Sequence, residues 1–512
     1  MGNHFKDSYK GQGQFIPVIP DEQITEGSFD ETVQLLIDEV VDLSHFESDY
    51  KNENGGASAY PPSALLKIIL AAYSRGITGS RRIEHLCQFH TTFMCLSGFL
   101  TPDHSTIAAF VSKKGEHIEN LFVQIVMECD YLGLIGGNCF SIDGTKMSSN
   151  ASKEQSGTRA DFERKYKKIK HGIRFLLKQH REEDKRGAID KDRRSRELKR
   201  VKKLREIAKR LEKPLAEMED KIGHKGTAIK TNLTDPDSRT LMSGSGGAQQ
   251  GYMSVAVVDN QHQVIAAAGI AEETEQKAFI PLLKQVETNL DISLEDKQIL
   301  ADAGFHSIEN VDYCYHRGID GYLADGKMRK RNPLYESQEE KKPTSRKQKY
   351  FRAEDFYYDE ETNTCQCPAG KLMWLVSDDY LLNGAHYRRF SGYLKDCRVC
   401  AFQKQCMRKP PKEHGRQVSK RKGVESNPLR PVDLMKEKVD TAEGRDIYSG
   451  RIGTAEPVFA HIKFTKGLRR LGLRGLSKVT GQWLLYCLVH NITKIQQYGE
   501  SLVSQRSKNY SS

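Results

Sequence analysis

Cys139-Phe140-Ser141-Ile142-Asp143-Gly144-Thr145-Lys146 alternates apolar and polar side chains over its first four positions and then delivers one carboxylate. A period of two marks a half-buried strand, and the glycine after Asp143 predicts that the strand ends there. The carboxyl end of a strand is where an open α/β sheet puts its chemistry. Taken alone, Asp143 reads more simply as a turn residue before glycine. Its weight depends on what the rest of the chain supplies.

A second stretch repeats the pattern. Gln298-Ile299-Leu300-Ala301-Asp302-Ala303-Gly304 is a short apolar run ending in a carboxylate beside small residues. Between the two, Tyr252 to Val258 and Gln263 to Ala268 flank Asp259-Asn260-Gln261 and predict a hairpin. Glu275 to Leu290 has helical spacing, with Phe279, Leu282, Leu283 and Val286 on one face. A helix near Ile308 to His316 and a strand at Ile319 to Leu323 follow. Strand, hairpin, helix, strand, helix resembles an RNase H-like order. The expected class is therefore α/β: a mixed-sheet catalytic domain over 131–151 and 229–326, joined by a helical part at 445–498.

The segment between those halves is where the charge sits. The chain of 512 residues carries a formal +11, and residues 159 to 230 hold 26 Lys and Arg against 13 Asp and Glu. That local excess of 13 leaves the remainder near neutrality, and a concentrated charge is the footprint of a polyanion partner or a solvated helix surface. A seven-residue repeat runs through it. Phe162, Ile169 and Leu176 share a register with Tyr166 and Ile173, and Val201, Ala208, Leu215 and Ile222 with Leu204, Leu211 and Met218. This predicts an inserted basic coiled-coil hairpin over 152–228, broken near Arg181 to Arg193 and kinked at Pro214.

Residues 1–130 predict a helical N-terminal DNA-binding domain. Ser80 is expected to cap a helix carrying Arg81 and Arg82, and Pro102 to begin another. An ordinary helical domain fits that segment equally well. At 327–444 a second insertion contains Cys365, Cys367, Cys397, Cys400 and Cys406. The two-residue gap from Cys397 to Cys400 and the turn after Cys367 suit a zinc-ribbon-like segment with Cys367, Cys397, Cys400 and Cys406 as thiolates to a structural Zn²⁺, Cys365 being the competing first ligand. Eleven cysteines without a secretory signal, and no apolar run of the ~18 residues a spanning helix needs, point to the cytoplasm and away from membranes. The polar end, 499–512, is expected to be disordered.

Asp143, Asp302 and Glu456 now stand out together. Converging carboxylates repel unless a cation neutralises them, and two Mg²⁺ (or Mn²⁺) ions can clamp the attacking and leaving oxygens of a phosphodiester. Glu456 lies eight positions after Tyr448 and seven before Lys463, a spacing that shares a helix face, although Pro457 predicts a kink or a helix start there. Asp259, Glu309 and Asp325 compete for the third place but read as hairpin, helix-surface and turn residues.

These stretches resemble bacterial insertion-sequence transposases of the DDE, RNase H-like class. The matching runs are Asp143-Gly144-Thr145-Lys146 with Asn150-Ala151-Ser152-Lys153, Asn232-Leu233-Thr234-Asp235-Pro236-Asp237-Ser238, Ala301-Asp302-Ala303-Gly304, and Glu456-Pro457-Val458-Phe459 with His461-Ile462-Lys463. Ser80-Arg81-Arg82-Ile83-Glu84, Pro102-Asp103-His104-Ser105-Thr106-Ile107, the cysteine cluster, Gly481-Gln482-Trp483 and His490-Asn491 extend the likeness. The resemblance implies that Asp143, Asp302 and Glu456 are the catalytic triad. Lys463, Tyr448, Arg451, Arg81, Arg82 and Lys146 would touch DNA. Arg451 lies one residue further from Glu456 than is usual in the class, which predicts that it turns off the shared face.

The implied function is cleavage at the ends of an insertion sequence and joining of the freed 3′-OH to target DNA. Its partners are the element's terminal repeats and the target duplex. A homodimer would pair two ends, at the nucleoid when DNA is bound. Two rivals stand beside it: a metal-dependent nuclease without strand transfer, and a non-catalytic DNA-binding protein.

Overall fold

The computed structural model describes residues 19–50, 58–186, 191–222, 226–242, 247–333, 350–359, 361–382, 385–423 and 429–499. The polar end expected to be disordered lies outside them from residue 500. The chain divides into two units: Met1–Phe305, Arg317–Asp320 and Ser449–Ser512 form one, His306–His316 and Gly321–Tyr448 the other. It is mixed α/β, with a helical N-terminal region and a mixed sheet.

In the first unit the N-terminal region includes α1 (Pro62–Ser74), α2 (Ser80–Phe89), α3 (His104–Lys113) and α4 (Gly115–Tyr131). α1 is apolar nearly all round and correspondingly buried, from Ala64 to Tyr73 with only Lys67 left partly open. Two helix starts differ from expectation. Gly79, not Ser80, is the cap of α2 and gives no side-chain bond. Asp103, not Pro102, starts α3, its Oδ1 accepting from the N–H groups of Ser105 (2.8 Å) and Thr106 (3.1 Å). A carboxylate satisfies those orphan donors better than an imide that carries no acceptor side chain.

The sheet begins with β1 (Cys139–Ser148), which does not stop at Gly144 as the sequence predicted. Two long helices follow, α5 (Arg159–Arg186) and α6 (Lys191–Glu217). They run antiparallel: Tyr166 Oη donates to Glu212 Oε1 (2.5 Å), and His180 Nε2 meets Glu197 Oε2 (2.7 Å). Phe162, His180, Val201, Ala208 and Leu211 are buried along the facing stripes. α6 continues through Pro214 and ends three residues later, so Ile222, expected on the seam, lies beyond the helix and is exposed. Ser156–Gly157 pairs with Thr231–Asn232 to close the insertion at its base.

The sheet resumes with β2 (Arg239–Met242), β3 (Ala248–Asp259) and β4 (Ile265–Ala271), then α7 (Glu275–Leu290) and β5 (Gln298–Ala301). β2, β1 and β4 all pair with β3 antiparallel, and β5 pairs with β1 in parallel. α7 buries Phe279, Leu282, Leu283 and Val286, the face its spacing predicted. Asp259 keeps its hairpin role, accepting from Gln261 N (2.8 Å) and from the N–H groups of Gly136 and Gly137. α8 (Ala442–Ala460) enters this unit at Ser449, and α9 (Leu476–Tyr498) packs on α4 and β4.

α9 is tied to the sheet by side chains as well as by burial. Asn491 Nδ2 donates to Ile265 O (2.9 Å) while its Oδ1 accepts from Ile265 N (2.9 Å), so one amide mimics a strand partner for β4. Trp483 is fully buried, stacks on Phe459 and donates from Nε1 to Val255 O (3.2 Å). The Asn232 to Ser238 run serves as a latch. Asn232 holds Ser152 O through Nδ2 (2.8 Å), and Asp235 Oδ1 accepts from Tyr252 Oη (2.6 Å) and Gly475 N (3.0 Å) at the start of α9.

In the second unit, strands Tyr357–Asp359, Thr364–Gln366, Leu372–Leu382, Ala385–Gly392 and Gln417–Arg421 form an antiparallel meander. Phe356, Cys365, Met373, Phe390 and Val418 make its small apolar core.

Replacing Trp483 by Ala removes the stacked ring and leaves the Val255 carbonyl without that donor. Chemical denaturation is expected to register a loss of about 3–5 kcal/mol in the unit that contains the mixed sheet.

Candidate active site

The register of β1 decides the geometry. Its antiparallel pairing with β3 runs from Phe140↔Asp259 to Ser148↔Gly251, but its parallel pairing with β5 runs only from Cys139↔Gln298 to Ile142↔Ala301. Asp143 and Asp302 are the next residues on the two strands, so they stand level where β5 leaves the sheet. The strand ends on one side of Asp143 and continues on the other. Asp143 Oδ1 accepts from Gly144 N (2.8 Å) and Asp302 Oδ1 from Gly304 N (2.9 Å), which fixes both carboxylates close to the backbone.

α8 crosses beside these ends and neither kinks out nor begins at Pro457. The proline lacks the N–H that would bond the carbonyl four residues back, and Gln263 Nε2 takes that place, donating to Gly453 O (3.0 Å). After Ala460 the helix widens over His461–Thr465, with Lys466 N bonding His461 O (2.9 Å). Each residue of a wider turn advances less around the axis. Lys463 is thereby rotated back toward β1, where its Nζ donates to Thr145 Oγ1.

Arg451 is the clearest departure from expectation. The spacing predicted that it turns away, yet Arg451 Nη1 reaches Asp143 Oδ2 at 3.2 Å, with both side chains largely buried. A long guanidinium compensates for one residue of helix phase. Glu456 is exposed on α8, near enough for its charge to act on Asp143. Tyr448 lies on α8 in the other unit. Lys146 is exposed, its Nζ donating to Met242 O (2.7 Å), and Arg81 and Arg82 are exposed on α2.

The electrostatics identify a residue that the sequence reading missed. Burial holds the Asp143 carboxyl above its ordinary range; Arg451 and the Gly144 N–H oppose this, and Asp302 and Glu456 add to it. Glu275, the first residue of α7, is raised by burial and then by Asp302, with Lys146 opposing and Asp143 adding. In the sequence Glu275 is one of three glutamates in Glu272-Glu273-Thr274-Glu275, an ordinary acidic helix start. Nothing local distinguishes it from its neighbours. Burial also depresses Lys463, with Asp143 opposing.

In the second unit, Cys367, Cys397, Cys400 and Cys406 line one small cavity of about 40 Å³. All are free thiols. Cys365 is fully buried in the apolar core instead, its Sγ 3.9 Å from Met373 Sδ. A side chain on Gly392 or Gly415 would begin 2.9 Å and 3.0 Å from Cys397 Sγ, so both glycines leave room for that sulfur.

Among the described residues, no three His, Cys, Asp or Glu side chains are arranged as metal ligands. The donor sets nevertheless fit metals by their chemistry. The carboxylates of the first unit are hard oxygen donors, Asp143 and Glu275 among them raised chiefly by burial and further by neighbouring acids, and they suit Mg²⁺ or Mn²⁺. Clustered thiols suit Zn²⁺. Among the described residues no helix is long and apolar enough to cross a membrane.

Two family models match the chain. One, described as "Transposase DDE domain", covers residues 366–496, and the other, "Transposase domain (DUF772)", covers residues 20–113. The first includes Glu456 and Cys367, Cys397, Cys400 and Cys406 but neither Asp143 nor Asp302. A DDE domain implies an RNase H-like fold, in keeping with the mixed sheet described above. No curated protein matches.

Removing the Arg451 cation exposes the cost of Asp143. Near neutral pH, Arg451→Met should lower the unfolding free energy by about 3 kcal/mol, the order expected for stripping one partner from a buried ion pair. The carboxyl's proton affinity is raised in the fold, so its destabilising charge develops as pH rises through the folded value. Urea titrations should therefore find the penalty shrinking in mildly acidic buffer. A penalty independent of pH would mean that the pair carries no charge coupling.

Proposed function

The two matches indicate an insertion-sequence transposase of the DDE class, and from that we propose that the chain binds the ends of its element, cleaves them with divalent metal and joins the freed 3′-OH ends to target DNA. The observation that carries this reading is the level placement of Asp143 and Asp302, each the next residue after the last pair, Ile142↔Ala301, of two adjacent parallel strands. Asp143, Asp302 and Glu456 are the residues that would hold Mg²⁺ or Mn²⁺. Bound there, the cations would neutralise the phosphodiester and favour attack on phosphorus. Glu456 is the most exposed of the three, on a helix separate from the sheet, which suits a ligand that engages only with the others in the loaded site.

The remaining roles follow from position. Lys463 sits beside Thr145 on β1 and would hold a phosphate by charge alone, without reading sequence. Arg451 pairs with Asp143, and its planar guanidinium would also suit a phosphate oxygen brought to the same opening. Lys146 continues the same strand, and Arg81, Arg82 and Tyr448 are further DNA contacts in this reading. In each cleavage, water attacks phosphorus and the bond to the 3′ oxygen breaks. In joining, the released 3′-OH attacks a target phosphorus and displaces that strand's own 3′ oxygen.

The antiparallel helices α5 and α6 are read as a basic coiled-coil hairpin that tracks DNA or pairs subunits, supported by the buried stripe and the local charge excess. The shared cavity of Cys367, Cys397, Cys400 and Cys406 supports a structural Zn²⁺ in a ribbon-like segment, with Cys365 left as a core residue. We further propose a helical DNA-binding region at 1–130 and a homodimer that acts at the nucleoid by holding two ends.

Two measurements test this. Asp302→Ala should abolish Mg²⁺-dependent end cleavage while gel-shift affinity for the terminal repeat stays within about threefold, because phosphate contacts rather than carboxylates supply binding. Wild-type-like cleavage by that variant would sink the assignment, and cleavage without integration of supplied 3′-OH ends would leave a nuclease. The purified full-length chain is expected to contain one zinc per chain by mass spectrometry, lost in Cys400→Ser with a lowered melting temperature of the second unit. Equal metal content in the two proteins would remove zinc from the account.

A further inference from the structure

Gly144 and Gly304 follow the two strand carboxylates, and neither has the positive φ that would demand glycine. The backbone at both positions accepts any residue. Space does not. A methyl group on Gly144 would stand 3.1 Å from Glu275 Oε1, and one on Gly304 would collide with Glu275 Oε2 while lying 3.0 Å from Asp302 Oδ1. The carboxylate of Glu275 therefore lies across both glycines, against Asp302, and the two missing side chains are what admit it.

We propose that Glu275 is a fourth carboxylate of the reaction centre, an oxygen ligand for a divalent cation held with Asp302. The inference rests on the reading of Asp143 and Asp302 as metal-holding residues. Its local fold is well determined: Glu275 opens α7, and Thr274 caps that helix by accepting from Lys277 N (3.3 Å). An acid at a helix start is favourable in itself. That accounts for a glutamate at this position, and Glu272 and Glu273 just before it are exposed to solvent. It does not account for a side chain turned in toward another carboxylate.

No described residue donates a hydrogen bond to the Glu275 carboxylate, and the nearby Lys146 ammonium is engaged with Met242 O at 2.7 Å. A half-buried acid facing a second acid with no donor between them is stabilised by a cation shared between the two. The two carboxylates reach this point from different parts of the chain: β4 leads into α7, which Glu275 opens, and Asp302 follows the last residue of β5.

The test is Mn²⁺ binding by the full-length protein without DNA, read by electron paramagnetic resonance, in wild type, Glu275→Gln, Gly304→Ala and Asp302→Asn. Glu273→Gln serves as the control for loss of charge on the same loop. The expected result is an affinity reduced about tenfold or more in Glu275→Gln, as for other losses of a residue supporting a metal site, with Glu273→Gln unchanged. Gly304→Ala should weaken binding comparably, by displacing a glutamate that is still present, and should add nothing in the Glu275→Gln background. Far-UV circular dichroism checks that each variant is folded. Wild-type affinity in folded Glu275→Gln, with binding lost in Asp302→Asn, would overturn this proposal and leave the triad standing. Wild-type affinity in Asp302→Asn would instead overturn the triad on which it rests.

Discussion

β1 is held by two neighbours of different reach. Its antiparallel ladder with β3 persists for six residues, Asp143 to Ser148, after its parallel ladder with β5 has ended at Ile142↔Ala301, and the site depends on that mismatch. Where one neighbour peels away, the sheet opens without the strand losing its order. Asp143 is thus carried on rigid, half-paired backbone, whereas Asp302 sits on the first turn after β5. Residues placed on sheet and helix ends are held more closely than residues on loops.

The same mismatch creates an electrostatic problem. Burial raises the proton affinity of Asp143 and Glu275, and the charges of neighbouring acids raise it further. The offset is supplied by Arg451 on Asp143 and by Lys463 beside Thr145, both delivered by α8 and its widened last turn. Stability is given up locally at the place proposed to hold a divalent cation. Such tension between local stability and site chemistry is the usual mark of a functional centre.

Holding α8 and its neighbours in place is the work of side-chain amides and a carboxylate bonded to backbone groups. The Gln263 amide replaces the N–H that Pro457 lacks, the Asn491 amide completes the edge of β4, and Asp235 anchors the start of α9. The Ser156–Gly157 and Thr231–Asn232 pair brings the ends of the long helical insertion together at the sheet. Closing a loop costs little more when the loop is long, about 0.6 kcal/mol per doubling, so the fold accommodates α5 and α6 once their base is pinned.

Periodicity and residue type alone determined a good deal: the strand through Asp143, the β3–β4 hairpin, the buried face of α7, the short strand before Asp302 and the apolar stripe of the two long helices. These are local properties, and hydrophobic spacing records them directly. Where each strand stops pairing was not written locally, because it depends on which neighbour is present; hence β1 passes Gly144 and α8 passes Pro457. Arg451 was misjudged for a similar reason, since helix phase ignores the length of a side chain and the presence of Asp143 across the gap. Glu275 was invisible in a run of glutamates. Only the tertiary structure sets its oxygens over Gly144 and Gly304, and the glycine that looked like a strand end and the small residue after Asp302 turn out to be the room it occupies.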